Sequence, residues 1–223
     1  MAYRIRLAVL AIVLSSGLTQ AQGVAIGLKA STAGAGLDLT LGVTKGLNVR
    51  AGANAFSLSQ TRSEFDTTYD AELRLRSASL LLDLHPGGRG FRLSVGGVYN
   101  QNVVEGDSND KTAVTINGTT YPVALVGTIS AKATTNELCP YVGLGWGNAV
   151  GEGNRIRFTF DIGAYYHGSP KVSVTSHVNP AVPPNLIPQK FYDDLEAERR
   201  RVEDDVSGYK FFPVVSLGLT VRL

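Results

Sequence analysis

Apolar and polar residues alternate with a period of two in one stretch after another from Val24 to the last residue, separated by tight turns and by longer loops. In "VAIGLKAS", Val24, Ile26, Leu28 and Ala30 share one face and Lys29 takes the other. "AGLDLTLGVT" sets Ala35, Leu37, Leu39, Leu41 and Val43 against Asp38 and Thr40. After a "TKG" turn, "LNVRAGANAF" sets Leu47, Val49, Ala51, Ala53 and Ala55 against Asn48, Arg50 and Asn54. "AELRLRSASLLLDLH" opposes Leu73 and Leu75 to Glu72, Arg74 and Arg76. Its apolar parity then shifts at Ser77 to Ala78, Leu80, Leu82 and Leu84, which predicts a β-bulge.

The second half repeats the scheme. "GFRLSVGGVYNQN" opposes Phe91, Leu93, Val95 and Tyr99 to Arg92, Ser94 and Asn100. "LCPYVGLGWGN" opposes Val142, Leu144 and Trp146 to Tyr141, Gly143, Gly145 and Gly147. These three glycines leave one face bare, making room for large side chains such as Arg or Tyr. "RIRFTFDIGAYYH" opposes Ile156, Phe158, Phe160, Ile162 and Tyr166 to Arg157, Thr159, Asp161 and Tyr165. The closing "FFPVVSLGLTVRL" alternates Val215, Leu217, Leu219, Val221 and Leu223 to its end. Eight strands are predicted.

Their connections are sorted by length. Strands 2–3, 4–5 and 6–7 are joined by "TKG", "HPGGRG" and "NAVGEGN", whereas 3–4, 5–6 and 7–8 are joined by long loops. Only the first connection, around "STAG", is short on the long-loop side. Short turns on one side, long loops on the other and an even strand count predict an all-β, eight-stranded antiparallel transmembrane β-barrel with long extracellular loops. Strands cross a bilayer only as a closed barrel, because lipid offers no partner to backbone N–H and C=O groups. The polar parity carries Asp38, Arg50, Arg92, Arg157 and Asp161, too much charge for the core of a sandwich unless paired. Facing one another across a lumen, these five are expected to form a salt-bridged plug. Phe91 and Trp146 near the short-turn end, with Tyr99 and Tyr166 toward the long-loop end, are expected to form aromatic belts.

Two loops carry structure of their own. Asn117-Gly118, between the alternating stretches of "TAVTINGTTYPV", predicts a hairpin. "PPNLIPQKFYDDLEAERRRVEDDVSG" predicts a short amphipathic helix over 188–206, with Pro188 at its first position. Phe191, Leu195, Val202 and Val206 recur at helical spacing, and Glu196–Arg200 and Arg200–Asp204 are i,i+4 pairs.

The N-terminus adds an export signal. "MAYRIRLAVLAIVLSSGLTQAQG" places Arg4 and Arg6 before an apolar run from Leu7 to Leu14, with Thr19 and Ala21 at a peptidase-like site. The run falls short of the roughly 20 apolar residues of a spanning helix. Residues 1–21 are therefore expected to be a cleaved signal peptide and 22–223 the barrel domain. No cysteine lies near that boundary, so no lipoprotein anchor is expected. Removing Arg4 and Arg6 from 21 Lys and Arg leaves 19, equal to the 19 Asp and Glu. No basic footprint then remains for nucleic acid. The lone Cys139 forms no internal disulfide and no cysteine-built metal site.

Other candidate chemistry is sparse. His167 and Ser169 approach a nucleophile–base spacing, which would suit a lipid-modifying enzyme, but no acid at a compelling offset completes them. They are read as an ordinary rim. The glycines at 143, 145 and 147 lack the helix that a phosphate loop needs. Glu64, Asp66 and Asp70, and Asp107 with Asp110, are read as solvated carboxylates, and His85 and His177 form no metal cluster. No metal and no cofactor are expected.

The segments "LRSASLLLDLHPGGRGFRLSVGGVYNQN", "PYVGLGWGNAV" and "GSPKV", with the closing strand, resemble a family of small proteobacterial outer-membrane β-barrel proteins of undefined function, and more broadly the eight-stranded OmpA/OmpX-type barrels. The resemblance implies an outer-membrane location and insertion by the barrel-assembly machinery. It supplies no active site. Ser216, Gly218, Val221 and Leu223 match the closing-strand pattern read by that machinery, with Leu223 replacing the usual terminal aromatic. The expected protein is a non-enzymatic, monomeric barrel with a side-chain-filled lumen, in contact with lipid and lipopolysaccharide. The alternatives are a narrow channel or carrier for small molecules, and the lipid-modifying enzyme.

Overall fold

The computed structural model describes residues 23–223 except 65, 66, 89, 109–111, 179 and 181. The expected signal peptide, Asp66 and Asp110 lie outside the described residues. Thirteen strands run in the order β1 (Gly23–Ser31), β2 (Gly34–Thr44), β3 (Leu47–Glu64), β4 (Thr67–Leu84), β5 (Phe91–Asn100), β6 (Val103–Ser108), β7 (Ala113–Ile116), β8 (Thr119–Pro122), β9 (Thr128–Thr134), β10 (Leu138–Trp146), β11 (Ile156–Tyr166), β12 (Lys171–His177) and β13 (Phe211–Arg222). Among the described residues two α-helices, α1 (Val123–Val126) and α2 (Gln189–Val206), lie between them.

Eight of the strands close a ring. The pairing runs β4-β3-β2-β1-β13-β11-β10-β5 and returns from β5 to β4, antiparallel throughout. A sheet closed on itself has no edges, which makes this ring a β-barrel. The closing strand lies between β11 and β1, with Leu217 opposite both Ala30 and Phe160. The apolar parity of each ring strand points outward: Leu28 is 66% exposed, Leu217 65% and Phe158 81%. The polar parity points inward, where Arg50, Asp83, Arg92 and Asp161 are buried.

The predicted bulge in β4 is absent. The β3–β4 ladder runs from Leu47↔Leu84 to Glu64↔Thr67 with no shift, and a register irregularity falls instead between Gly42 and Thr44 of β2. The apolar parity changes faces at Ser77 while the backbone continues unbroken. Toward the short turns, Ala78, Leu80, Leu82 and Leu84 face outward. Above Ser77, Leu73 and Leu75 face inward and Glu72, Arg74 and Arg76 face outward. The partner strand inverts at the same height: Ala55, opposite Arg76, ends the outward apolar series, and Phe56, opposite Leu75, begins an inward one.

The long connections build a second storey. The expected long loop between the third and fourth strands is largely strand, each of β3 and β4 being 18 residues long. Beyond the ring, β6, β9 and β12 continue the lines of β5, β10 and β11 and add to the upper part of β4 in the order β4-β6-β9-β12. A hairpin, β7–β8, stands at the Asn117-Gly118 site, with both residues in the left-handed region (φ 48° and 76°) that this tight turn requires. Helix α2 begins after Pro188, which stands as its N-cap, and lies along β12. Arg199 donates from Nη1 to the Val172 carbonyl (3.4 Å), occupying an edge acceptor of β12.

Hairpin, α1 and the start of α2 share a small core of Val114, Ile116, Tyr121, Val126, Ile187 and Phe191. Asp194 ties it together, accepting from Tyr121 Oη (2.6 Å), Asn117 Nδ2 (3.1 Å) and the Lys190 ammonium. Hydrogen bonds from Lys190 and Tyr121 hold its carboxyl well below the usual carboxylate range. A carboxyl lowered in the fold stabilises it above the unfolded value of about 3.9, and the contribution is lost as pH falls through the depressed value. Asp194→Asn is therefore expected to speed hydrogen exchange in residues 113–122 and the first turns of α2 roughly tenfold at pH 7, leaving barrel amides unchanged. Unchanged protection of the hairpin would show that the carboxylate contributes nothing there.

Candidate functional site

Alternation sends one side chain in two toward the barrel axis, and closure brings those from distant segments together. Lys29 of β1, Asp38 of β2, Arg50 of β3, Asp83 of β4, Arg92 of β5 and Asp161 of β11 form one ion network. Arg50 is its hub. Its Nε donates to Asp83 Oδ2 (2.8 Å) and its Nη2 to Asp83 Oδ1 (3.1 Å), Ser94 Oγ (3.3 Å) and Asp161 Oδ1 (3.4 Å). Its Nη1 lies 3.6 Å from Asp38 Oδ2, and Lys29 Nζ lies 2.6 Å from Asp38 Oδ1. Arg92 Nη2 reaches both Asp161 oxygens at 2.6 Å, while its Nη1 donates to the Gly147 carbonyl (2.7 Å). Ser94 and Ser216 donate to Asp83 and Asp161.

Three cations thus face three carboxylates, and the charge cancels inside the ring. Strand β10 contributes space. A Cβ on Gly145 would lie 2.7 Å from both Arg92 Nε and Asp161 Oδ1, so the network closes only over a glycine. A Cβ on Gly143 would meet the Tyr141 hydroxyl at 2.5 Å, and the bare face thereby accommodates the Arg and Tyr that its spacing predicts.

Of the predicted charge set, Asp38, Arg50, Arg92 and Asp161 meet in the network. Arg157 does not. It sits at the short-turn mouth, donating from Nε to the Asn154 carbonyl (3.1 Å) and from Nη2 to the carbonyls of Gly151 (3.0 Å) and Glu152. The reason is the β10–β11 turn, which folds back into the mouth and buries Asn148, Ala149 and Val150; its backbone acceptors reach Arg157 before any carboxylate does. Asn48 Nδ2 donates to Asn148 Oδ1 (3.1 Å), and Arg222 Nη1 donates to the Gly151 carbonyl (2.8 Å), holding the turn in place.

The predicted charge set leaves out Lys29, Asp83, Ser94 and Ser216, although the alternation puts Lys29 and Ser94 on the polar parity and Ser216 is assigned to the closing-strand signal. All four carried the signal of inward parity. Asp83 alternates with the outward Leu82 and Leu84, but the parity change upstream obscured it.

Toward the long-loop end the ion network gives way to an apolar belt. Leu81, Val98, Cys139, Tyr141 and Tyr165 pack together with Phe212 and Val214, and the Tyr165 and Phe212 rings stack at 5.0 Å. From the short-turn side, then, a tucked turn, an ion network and an apolar belt follow one another along the axis.

The remaining candidates lie elsewhere. Phe91 and Trp146 make an edge-to-face pair (5.0 Å), and Tyr166 pairs likewise with Phe211 (5.2 Å). Trp146, Tyr99 and Tyr166 are exposed on the outer surface. Val221 of β13 faces outward and Leu223, just past its end, is exposed, whereas Ser216 is buried inward on Asp161. Ser169 donates its hydroxyl to the Ser207 carbonyl (3.2 Å), and no carboxylate among the described residues bonds His167. No metal-ligand cluster occurs among the described residues.

No protein-family model matches the chain, and no curated protein matches it. Solved structures do. Acinetobacter baumannii CarO2 is 24% identical, with a TM-score of 0.57 over 92% of this chain and 100% of that one. Acinetobacter baumannii CarO is 20% identical, with a TM-score of 0.56 over 90% of this chain and 98% of that one. At these identities the likeness speaks to the β-barrel fold.

Proposed function

We propose that this chain is a non-enzymatic outer-membrane β-barrel protein whose lumen is plugged, and that it serves a structural or surface-interaction role. The observation that carries the reading is the neutral six-residue ion network across the barrel axis. Eight strands leave an interior that side chains can fill. A narrow channel would need a continuous aqueous path, and the tucked turn, the network and the belt stand as three obstacles that support the plugged reading instead.

Several observations support the location. The outward apolar band of the ring would meet hydrocarbon, and the inversion at Ala55 and Ser77 would mark the upper edge of the lipid. Below it, lipid lies outside and polar groups pack inside; above it, water lies outside and apolar groups turn inward. The long-loop storey would then be extracellular, with both termini periplasmic. Trp146 with Phe91, and Tyr99 with Tyr166, would sit at the two headgroup levels. Val221 and Leu223, with Gly218 and Ser216, would carry the signal read by the barrel-assembly machinery. Lipid and lipopolysaccharide are the proposed surroundings of a monomer.

Planar-bilayer recording of the purified chain tests the plug. The expected trace shows no large, stable conductance; a steady open level would overturn the reading. Density-gradient fractionation of cells expressing the full chain tests the location, with recovery in outer-membrane fractions expected.

A further inference from the structure

Above the apolar belt, between the upper sheet and α2, lies a cavity of about 550 Å³. Its walls are Leu73 and Leu75 of β4, Val104 of β6, Val172 of β12, and Val202 and Val206 of α2. The charged side chains of the same strands alternate onto the other face, where Glu105 pairs with Arg74 and Lys132. The volume is comparable with the roughly 300–1,000 Å³ of pockets that hold drug-sized ligands.

The floor is polar and holds an unmet group. Asn102 is engaged, donating to the Tyr165 hydroxyl (2.8 Å) and accepting from the Arg76 amide (3.0 Å). His167 lines the cavity and is only 7% exposed, and its Nδ1 has no hydrogen-bond partner among the described residues. Burial pushes its imidazole below the ordinary value, so the ring is neutral at pH 7 and one nitrogen remains an acceptor.

The wall of the storey has a gap. Residues 56–64 of β3 pair with β4 alone, because the β1–β2 hairpin turns at Ser31–Gly34, level with Ala55. On the inner face beside this free edge, Phe56 and Leu58 stand opposite Leu75 and Leu73 and are each about two-fifths exposed, extending the apolar surface from the gap to the cavity. The gap lies where the outward apolar band ends.

We propose that this cavity binds a small, uncharged, largely apolar molecule with one hydrogen-bond donor, which enters over the β1–β2 turn and donates to His167. The site goes beyond the plugged-lumen reading and uses none of the network residues. Glu105 and Lys132 also border the cavity, but they pair with each other and with Arg74 and so leave no free charge for an ionic ligand, and a purely apolar one would leave His167 Nδ1 unmet.

The test uses the purified full chain in amphipol and the probe N-phenyl-1-naphthylamine, an uncharged aromatic amine with one N–H whose fluorescence rises in apolar surroundings. Binding is expected to saturate. Ala133→Trp, which fills the cavity from β9, is expected to weaken it about tenfold or more, and His167→Phe, which keeps the volume and removes the acceptor, several-fold. Thr175→Trp on the outer face of β12 is expected to leave it within about twofold. Each variant is checked for the heat-dependent electrophoretic shift of a folded barrel, and Val202→Trp replaces Ala133→Trp if the latter loses that shift. Non-saturating fluorescence, or equal affinity in the cavity-filled variant, overturns the proposal. Bilayer conductance of the same samples tests the plug separately.

Discussion

Arg50→Ala lowers the folding stability of the barrel by about 3–5 kcal/mol, the usual result of removing one partner from a buried ionic cluster. The substitution strips Asp83 of its bidentate partner and takes two longer contacts from Asp161 and one from Asp38. Three carboxylates then face Lys29 and Arg92 alone, and the interior carries an uncompensated negative charge. Urea titration of the chain folded into lipid vesicles, read by the folded-band shift on a gel, measures the loss. The double variant Arg50→Met with Asp83→Leu is expected to recover most of it, because the charges are removed together and Lys29–Asp38 and Arg92–Asp161 remain matched. Arg157→Ala, which loses only carbonyl contacts near the mouth, is expected to cost far less. A loss below about 1 kcal/mol for Arg50→Ala would show that water solvates the network and that the lumen is not a dry plug.

Leu217→Arg tests the surroundings of the outer surface. Leu217 is mid-strand in β13, between Ala30 and Phe160, and 65% exposed. In water, an exposed Leu exchanged for Arg changes stability by at most about 0.5 kcal/mol. At the midplane of a bilayer the same exchange costs about 2–4 kcal/mol, because the guanidinium must leave water or deform the lipid. The same urea titration in vesicles is expected to show the larger value for Leu217→Arg and almost none for Thr175→Arg, on the outer face of the upper storey. Equal and small effects at both positions would end the lipid-facing reading. The comparison is internal, since both residues lie on the outside of strands.

How far the chain can be read from its sequence depends on the range of each interaction. Period-two alternation follows from the pleat, so the eight ring strands and the inward parity of Asp38, Arg50, Arg92 and Asp161 were legible residue by residue. The Asn117-Gly118 hairpin and the helix over Gln189–Val206 were legible for a similar reason, since turn chemistry and helical spacing act over a few residues. Arg157 shows the limit. Parity places it inward, but its height on the axis and the tucked turn beside it decide whether it meets a carboxylate or a carbonyl.

The change at Ser77 marks the boundary between the two kinds of information. The residues record that apolar positions switch faces, and local rules translate such a switch into a bulge. Only the unbroken β3–β4 ladder shows that the backbone continues and that the apolar side chains pass from the outer face to the inner one. Alternation alone determined that this protein is a sequence of strands with one apolar and one polar face. Ring closure decided which charges neutralise one another, and the upper storey decided that part of the apolar surface turns inward around a cavity. Those outcomes depend on strands far apart in the chain sharing one axis, and no local pattern specifies that distance.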